Sequence, residues 1–438
     1  MQKKVIVIGG GFAGLTAAAY LVKNNYKVIL LEASPKLGGR AYSFFDKETN
    51  TIIDNGQHIL MGCYHDTLKF LKLIDASQNF SFQQRLEVNF VKEGFQILPL
   101  KSFPLFYPLN LLFGVINYRA IKLIERLSLL KVFLKLPFYS SEKFSDLNIK
   151  EWLETESQSQ NIQNTFWKIL AVGALNTSIE KASAKIFIDI LKQIFLNGSS
   201  ASTIVLPKFG LSESYVNNAQ EYIRKCGGEI HFSESVEKFV LKNSRIIEIQ
   251  TDKKVYPEFD FVVSTIPVFA LEKIMNNKSE IALPEFQYST ILNIHIWLKK
   301  SNIPDGFFGL INSPLHWVFN KGTNLNIVIS DANDYVNNSE QEIINIVKSE
   351  MKKFFLLNPE LISNYKIIKE KRATFIPSKE ILRNRPSQKT NIKNFILAGD
   401  WVDTGLPSTI ESAVKSGRVA ADLIIERKLF YNPSSLIK

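Results

Sequence analysis

An α/β fold, in which a Rossmann-like domain is joined to a second, discontinuous α+β domain, is what this 438-residue chain predicts, and three observations predict it. First, the β-branched run at 5–8 enters Gly9-Gly10-Gly11-Phe12-Ala13-Gly14, a helix-like segment follows to about Asn24, and a second apolar run at 28–31 closes on Glu32. Second, Phe395-Ile396-Leu397-Ala398-Gly399-Asp400 reads as a short strand ending in Gly-Asp, ahead of a helical run over about 409–426. Third, short strands at 229–232, 235–241 and 245–251, with a turn at Asn243-Ser244, follow a helix at 211–224 and precede a strand at 261–267.

The first unit is a strand, a glycine turn, a helix, a strand and an acid in the order that binds a dinucleotide. Gly9 permits the tight turn, Gly11 lets backbone approach a pyrophosphate, and Gly14 lets the helix pack close to the sheet. The helix N-terminus offers free N–H groups to phosphate. Glu32 is placed to accept hydrogen bonds from ribose hydroxyls, which argues for a ribose without a 2′-phosphate. Lys3 and Lys4 ahead of an apolar stretch imitate a secretion signal, but the glycine cluster interrupts the hydrophobic run.

Ala33-Ser34-Pro35-Lys36-Leu37-Gly38-Gly39-Arg40 separates FAD from NAD, because it resembles the second signature of the flavin amine oxidase and carotenoid desaturase superfamily. Paired glycines allow close backbone approach and Arg40 supplies a fork of donors for phosphate oxygens. In that superfamily the closing Gly399-Asp400 places the aspartate on the ribityl chain, the helix after Thr409-Ile410 points its N-terminus at the flavin pyrimidine, and the backbone at Val236 bonds the adenine. The resemblance also implies cofactor contacts at Phe12, Ala13, Ala33, Gly38, Gly39, Gly56, Gln57 and His58. Neither cysteine lies beside the C-terminal motif, so FAD is expected to be noncovalent.

Three further stretches narrow the resemblance. Asp54-Asn55-Gly56-Gln57-His58-Ile59-Leu60-Met61-Gly62, Arg372-Ala373-Thr374-Phe375-Ile376-Pro377 with Arg383 and Arg385-Pro386, and Gly399-Asp400-Trp401 through Gly405-Leu406-Pro407-Ser408-Thr409-Ile410-Glu411 resemble the hydroxysqualene dehydroxylases. That family implies removal of the hydroxyl of hydroxysqualene by reduced FAD, giving squalene. An allylic alcohol ionises when its oxygen is protonated, so the site needs an acid, a dry cavity and orientation. Candidates for the acid are His58, Asp54 and Asp403, with His58 first because an imidazolium donates near neutral pH. Asp54 reads more readily as a cap of the following segment than as an acid, and His58 reads equally as a loop-ordering residue. Alternation in Leu292-Asn293-Ile294-His295-Ile296-Trp297-Leu298 puts Asn293, His295 and Trp297 on one face, a second candidate lining. A carotenoid-type desaturase, a flavin amine oxidase and a non-catalytic isoprenoid-binding protein are the alternatives; intact cofactor motifs argue against the last.

Composition agrees: 45% hydrophobic and 22% charged residues are ordinary for a globular enzyme. Cys63 and Cys226 form no disulfide framework, and the five histidines show no metal-binding spacing, so a reducing cytoplasm and no metal are expected. The net charge of +11 comes with no nucleic-acid-reading motif. A membrane surface is the better partner, because the apolar stretch 103–116, broken by Pro104 and Pro108, leads into Arg119, Lys122, Arg126, Lys131 and Lys135 among Leu, Ile and Phe. Those residues read equally as helices around a cavity for a lipophilic isoprenoid. The expected division is a cofactor domain from 1–75, 205–274 and 391–438, and a substrate domain from a helical 76–204 and a sheet-containing 275–390. The expected location is the inner face of the membrane; oligomeric state is left open.

Overall fold

The computed structural model describes residues 2–275 and 281–431; residue 1 and the stretches 276–280 and 432–438 lie outside the described residues. Strand Lys4–Ile8 lies at the centre of a five-stranded parallel sheet in the order 229–232, 27–32, 4–8, 261–264, 395–397. Its strands are nearly continuous aliphatic runs because helices cover both faces. Helix Phe12–Lys23 leaves Lys4–Ile8 through Gly9, whose φ of +100° belongs to the left-handed region. A Cβ on Gly14 would lie 1.9 Å from the Gly9 carbonyl oxygen, so the helix packs this close only with glycine there. Helix Ile410–Tyr431 packs on the first helix, and Ala17, Ala18, Leu21, Val414, Ala420 and Ile424 share the core between them.

The second sheet has seven strands in the order 362–375, 288–298, 325–329, 317–320, 306–310, 87–92, 96–101. All neighbours are antiparallel except 306–310 with 87–92. Leu292, Ile294 and Ile296 on one face pack against Ile343, Val347 and Met351 of helix Glu340–Phe355. The opposite face, with Ile291 and Asn293, looks toward the cofactor motifs.

Strands 229–232, 236–241 and 246–251 follow the sequence expectation within one residue, the strand expected over 261–267 ends at Ser264, and Asn243 and Ser244 both take positive φ in the predicted turn. Residues 76–204 depart from it. The helices are there, but Glu87–Lys92 and Gln96–Lys101 form a hairpin that extends the seven-stranded sheet. Gln96–Lys101 is an exposed edge with a proline, so its period-two signal is weak.

Candidate flavin and substrate site

One cavity of about 860 Å³ runs between the two sheets. Gly9, Gly11, Phe12, Ala13, Glu32, Ala33, Gly38, Gly39 and Arg40 line it from the first βαβ unit, and Val236, Gly399, Asp400, Thr409 and Ile410 from the later segments. Gly56, Gln57 and His58 line it as well. Gly14 stands behind the lining, where it lets the helix approach the turn.

The polar end is built for phosphate and ribose. Helix Phe12–Lys23 has no side-chain cap and no acid in its first turn, leaving its leading N–H groups for an anion. A Cβ on Gly39 would sit 3.1 Å from the Gly11 Cα, so two glycine loops meet at that end with nothing projecting between them. Glu32 turns its carboxylate to the same place, accepting from the N–H of Gly10 at 2.6 Å and of Ser34 at 2.8 Å. Arg40 donates to Asp400 at 2.5 Å and to the Ala373 carbonyl at 2.6 Å. Ser408 also donates to Asp400. Burial raises the carboxyl pKa of Asp400, but the Arg40 charge and these hydrogen bonds outweigh it and hold Asp400 below the ordinary carboxylate range. Thr409 accepts from the Ser412 N–H at 3.2 Å and opens the last helix toward the cavity.

Three residues to which the sequence assigned no role at the site hold this end in place. Tyr215 stacks on Phe12 at 3.9 Å between ring centroids and donates its hydroxyl to the Ala41 carbonyl at 2.7 Å, joining both glycine loops. Buried Arg385 donates to the carbonyls of Asp400 at 2.9 Å and Leu406 at 2.6 Å, and also to Val402, so it spans the loop that presents Asp400. Burial lowers its pKa to about 10, which leaves it cationic at neutral pH. Glu411 accepts from the N–H groups of Asp66 and Thr67, both at 2.9 Å, and so ties the start of helix His65–Leu73 to the start of Ile410–Tyr431. Arg385 and Glu411 stand inside recognisable blocks, yet what they contact is set by the tertiary fold.

The other end is apolar, walled by Leu86, Phe90, Ile169, Phe307, Phe319 and Val328. Trp317 lies there over Gly173, where a Cβ would come 3.3 Å from the indole. Trp401 lines the cavity and donates to the Ile266 carbonyl at 3.1 Å.

The three candidate acids separate in space. Asp54 is buried but does not line the cavity; it binds Lys321 at 2.6 Å and accepts from Ser43 at 2.7 Å and the Leu211 N–H at 2.9 Å. Burial raises its pKa, yet Lys321 and these donors outweigh that and leave it lowered, so it is an ionised brace and not an acid. Asp403 is exposed, turned away from the cavity, and accepts from the Gly405 N–H at 3.2 Å. Only His58 faces the cavity. Burial is the largest influence on it and lowers its pKa to about 4, so its resting form at pH 7 is a neutral imidazole and not the imidazolium that the sequence suggested.

The second candidate face divides in the same way. Asn293 lines the cavity, whereas His295 is buried against the Asp54 carbonyl at 3.0 Å and Asn324 at 3.0 Å, away from it. Trp297, two residues farther along, does not line it either.

Comparison with known proteins agrees with this geometry. Residues 12–425 match the family described as flavin containing amine oxidoreductase. The chain belongs to that family. It is a flavin-dependent oxidoreductase, and the glycine cradle, Glu32 and the open helix end fit FAD as its cofactor. A hydroxysqualene dehydroxylase of Zymomonas mobilis is 27% identical over 429 residues, covering 96% of this chain and 98% of the relative. A 15-cis-phytoene desaturase of Synechococcus elongatus is 23% identical, covering 97% of this chain and 96% of the relative. Among solved structures, the cyclohexylamine oxidase of Brevibacterium oxydans superposes with a TM-score of 0.69 at 14% identity, over 98% of this chain and all of that one, which establishes the shared fold.

Proposed function

We propose that this protein is a hydroxysqualene dehydroxylase, an FAD enzyme in which hydride from reduced FAD and a proton replace the hydroxyl of hydroxysqualene with hydrogen, giving squalene and water. The observation that carries the reading is the end-to-end similarity at 27% identity to an enzyme of that name, against 23% for a phytoene desaturase. When bound and reduced, FAD supplies hydride to the carbon that loses its oxygen. This chain's residues do the rest. Gly11, Gly39 and the first turn of helix Phe12–Lys23 take the pyrophosphate, Glu32 the ribose, the backbone at Val236 the adenine and Asp400 the ribityl chain, all noncovalently. Thr409 and Ile410 present the last helix's N-terminus to the isoalloxazine. The apolar end accepts the hydrocarbon and excludes water from the carbon where positive charge develops. Uncharged donors lining the cavity include Tyr64, whose phenol burial holds protonated, and the Gln57 carboxamide. His58 bonds the backbone of Arg40 and so braces the segment that follows the second glycine turn.

The division into a cofactor domain (1–75, 205–274, 391–438) and a substrate domain (76–204, 275–390) is supported by the sheets. The five-stranded sheet draws every strand from the former segments and the seven-stranded sheet from the latter.

We also infer contact with the inner membrane face. No helix among the described residues is long and apolar enough to cross a membrane. Helices Leu109–Ile116 and Leu123–Lys135 and the segments flanking them nevertheless expose Phe106 (73%), Leu123 (62%), Ile124 (72%) and Phe138 (87%), beside exposed Arg119, Lys122 and Lys131. A cationic and apolar surface of that kind matches anionic lipid. On its inner side, Phe133 packs on Phe195 at 4.9 Å and Phe166 at 6.1 Å between centroids, and both of those line the cavity. The patch and the substrate end therefore share a wall.

The test is anaerobic incubation of reduced, FAD-loaded protein with hydroxysqualene and mass analysis of the lipid. Squalene is the expected product. Unchanged hydroxysqualene, with phytoene dehydrogenated by the oxidised protein, would transfer the assignment to a desaturase.

A further inference from the structure

We propose that Gln57 is the group that recognises the substrate hydroxyl and so distinguishes a hydroxylated isoprenoid from the hydrocarbon it becomes; this rests on the dehydroxylase reading above. Gln57 lines the cavity, and its side-chain Oε1 is buried without a hydrogen-bond partner. Its neighbour Asn55 shows how unusual that is in this loop: Asn55 accepts from the Tyr42 N–H at 3.1 Å and donates to the Arg40 carbonyl at 2.6 Å. Buried carboxamides are ordinarily satisfied, and one left unpaired on a residue that lines a ligand cavity is free to turn toward a ligand atom.

The position of Gln57 favours the substrate over the cofactor as that ligand. Its backbone N–H is held by Asn293 Oδ1 at 3.3 Å, on the strand Tyr288–Leu298 of the second sheet. Gly56 packs so closely on the same side chain that a Cβ there would lie 3.0 Å from Asn293 Nδ2. Gln57 is thereby fixed where the chain passes from the glycine loops to the apolar end, next to Ile59 and facing walls such as Phe90 and Phe319 that have nothing to offer a hydroxyl. Pyrophosphate and ribose already find their partners at the other end. A carboxamide presents both an acceptor and donors, so one hydroxyl satisfies it whichever way the amide is turned. Once the hydroxyl has gone, Gln57 is again without a partner, which weakens the hold on the product. A site built to bond a hydroxyl discriminates strongly against the analogue that lacks it.

The test uses FAD-loaded, oxidised protein, which does not turn over, and measures dissociation constants for hydroxysqualene and squalene in detergent by the change in flavin fluorescence. Wild-type protein is expected to prefer hydroxysqualene by roughly 10–100-fold. In Gln57→Leu that ratio should fall to about one through loss of affinity for hydroxysqualene alone, with FAD content and flavin spectrum unchanged. Gln57→Met, close in volume and unable to bond, provides the same reading should the leucine variant fold poorly. A preference that persists in either folded variant overturns the proposal while leaving the dehydroxylase reading intact, and loss of FAD from both variants overturns it by giving Gln57 to the cofactor. Wild-type protein with no affinity for hydroxysqualene would overturn both.

Discussion

Burial decides the chemistry of individual residues here more than their type does. His58 faces the cavity as the sequence suggests, but with its pKa lowered to about 4 it cannot be the acid whose deprotonation limits turnover near neutrality. The pH dependence of kcat/KM for hydroxysqualene should therefore show no descending limb near pH 6.5 assignable to this residue. A limb there that disappears in His58→Gln would contradict the assignment. Glu32 is a plainer case. Its carboxylate bonds two N–H groups of the glycine turn and the loop after it, so Glu32→Ala should weaken FAD binding by about 10–100-fold, measured by equilibrium dialysis. Arg385 carries a different load. Its removal leaves several buried carbonyls of 400–406 unsatisfied, so Arg385→Met should destabilise the FAD-loaded protein by at least about 2 kcal/mol in denaturant titration. An unchanged midpoint would show that the loop holds itself.

At the scale of elements, the cofactor half was legible in the sequence and the substrate half only partly so. Strand Lys4–Ile8, helix Phe12–Lys23 and the Gly399-Asp400 turn could be read because phosphate binding demands glycine at fixed places and a buried parallel strand demands an aliphatic run. The hairpin 87–101 was missed because it lies at a sheet edge, where apolar alternation is not enforced. Period two correctly grouped Asn293 with His295, yet it could not say that the strand has left the cavity by His295. The ion pair of Asp54 with Lys321 was out of reach for a related reason, since the two are far apart in sequence. For the helices 109–135 the sequence left core and membrane side by side, and the structure gives them both an inward and an outward apolar face. Replacing Arg119, Lys122 and Lys131 by Gln should lower partitioning onto anionic vesicles by about 100-fold at low salt, taking about 1 kcal/mol per charge. Arg126 is left out because it bonds the carbonyls of Ile116 and Ile121. Unchanged partitioning in a vesicle flotation assay would remove this face as the anchor.

Across the whole molecule, two sheets from interleaved segments enclose one cavity that is polar at one end and apolar at the other. Burial also makes the protein acid-sensitive. His58, His295 and His316 each have a pKa lowered to about 4, below the ordinary value of 6.5 that they regain on unfolding. The unfolded chain then binds more protons, so stability from these groups is complete above about pH 6.5 and is lost as pH falls toward 4. The melting temperature should drop over that interval; a flat profile would contradict the buried neutral histidines. The central claim, that flavin and a hydroxylated isoprenoid meet in this one cavity with electrons passing to the lipid, is tested most directly by anaerobic mixing of the reduced protein with hydroxysqualene while flavin absorbance and lipid product are followed together. The account predicts that oxidised flavin returns in step with squalene, one for one, and that squalene itself leaves the flavin reduced. Flavin that stays reduced in the presence of hydroxysqualene would contradict it.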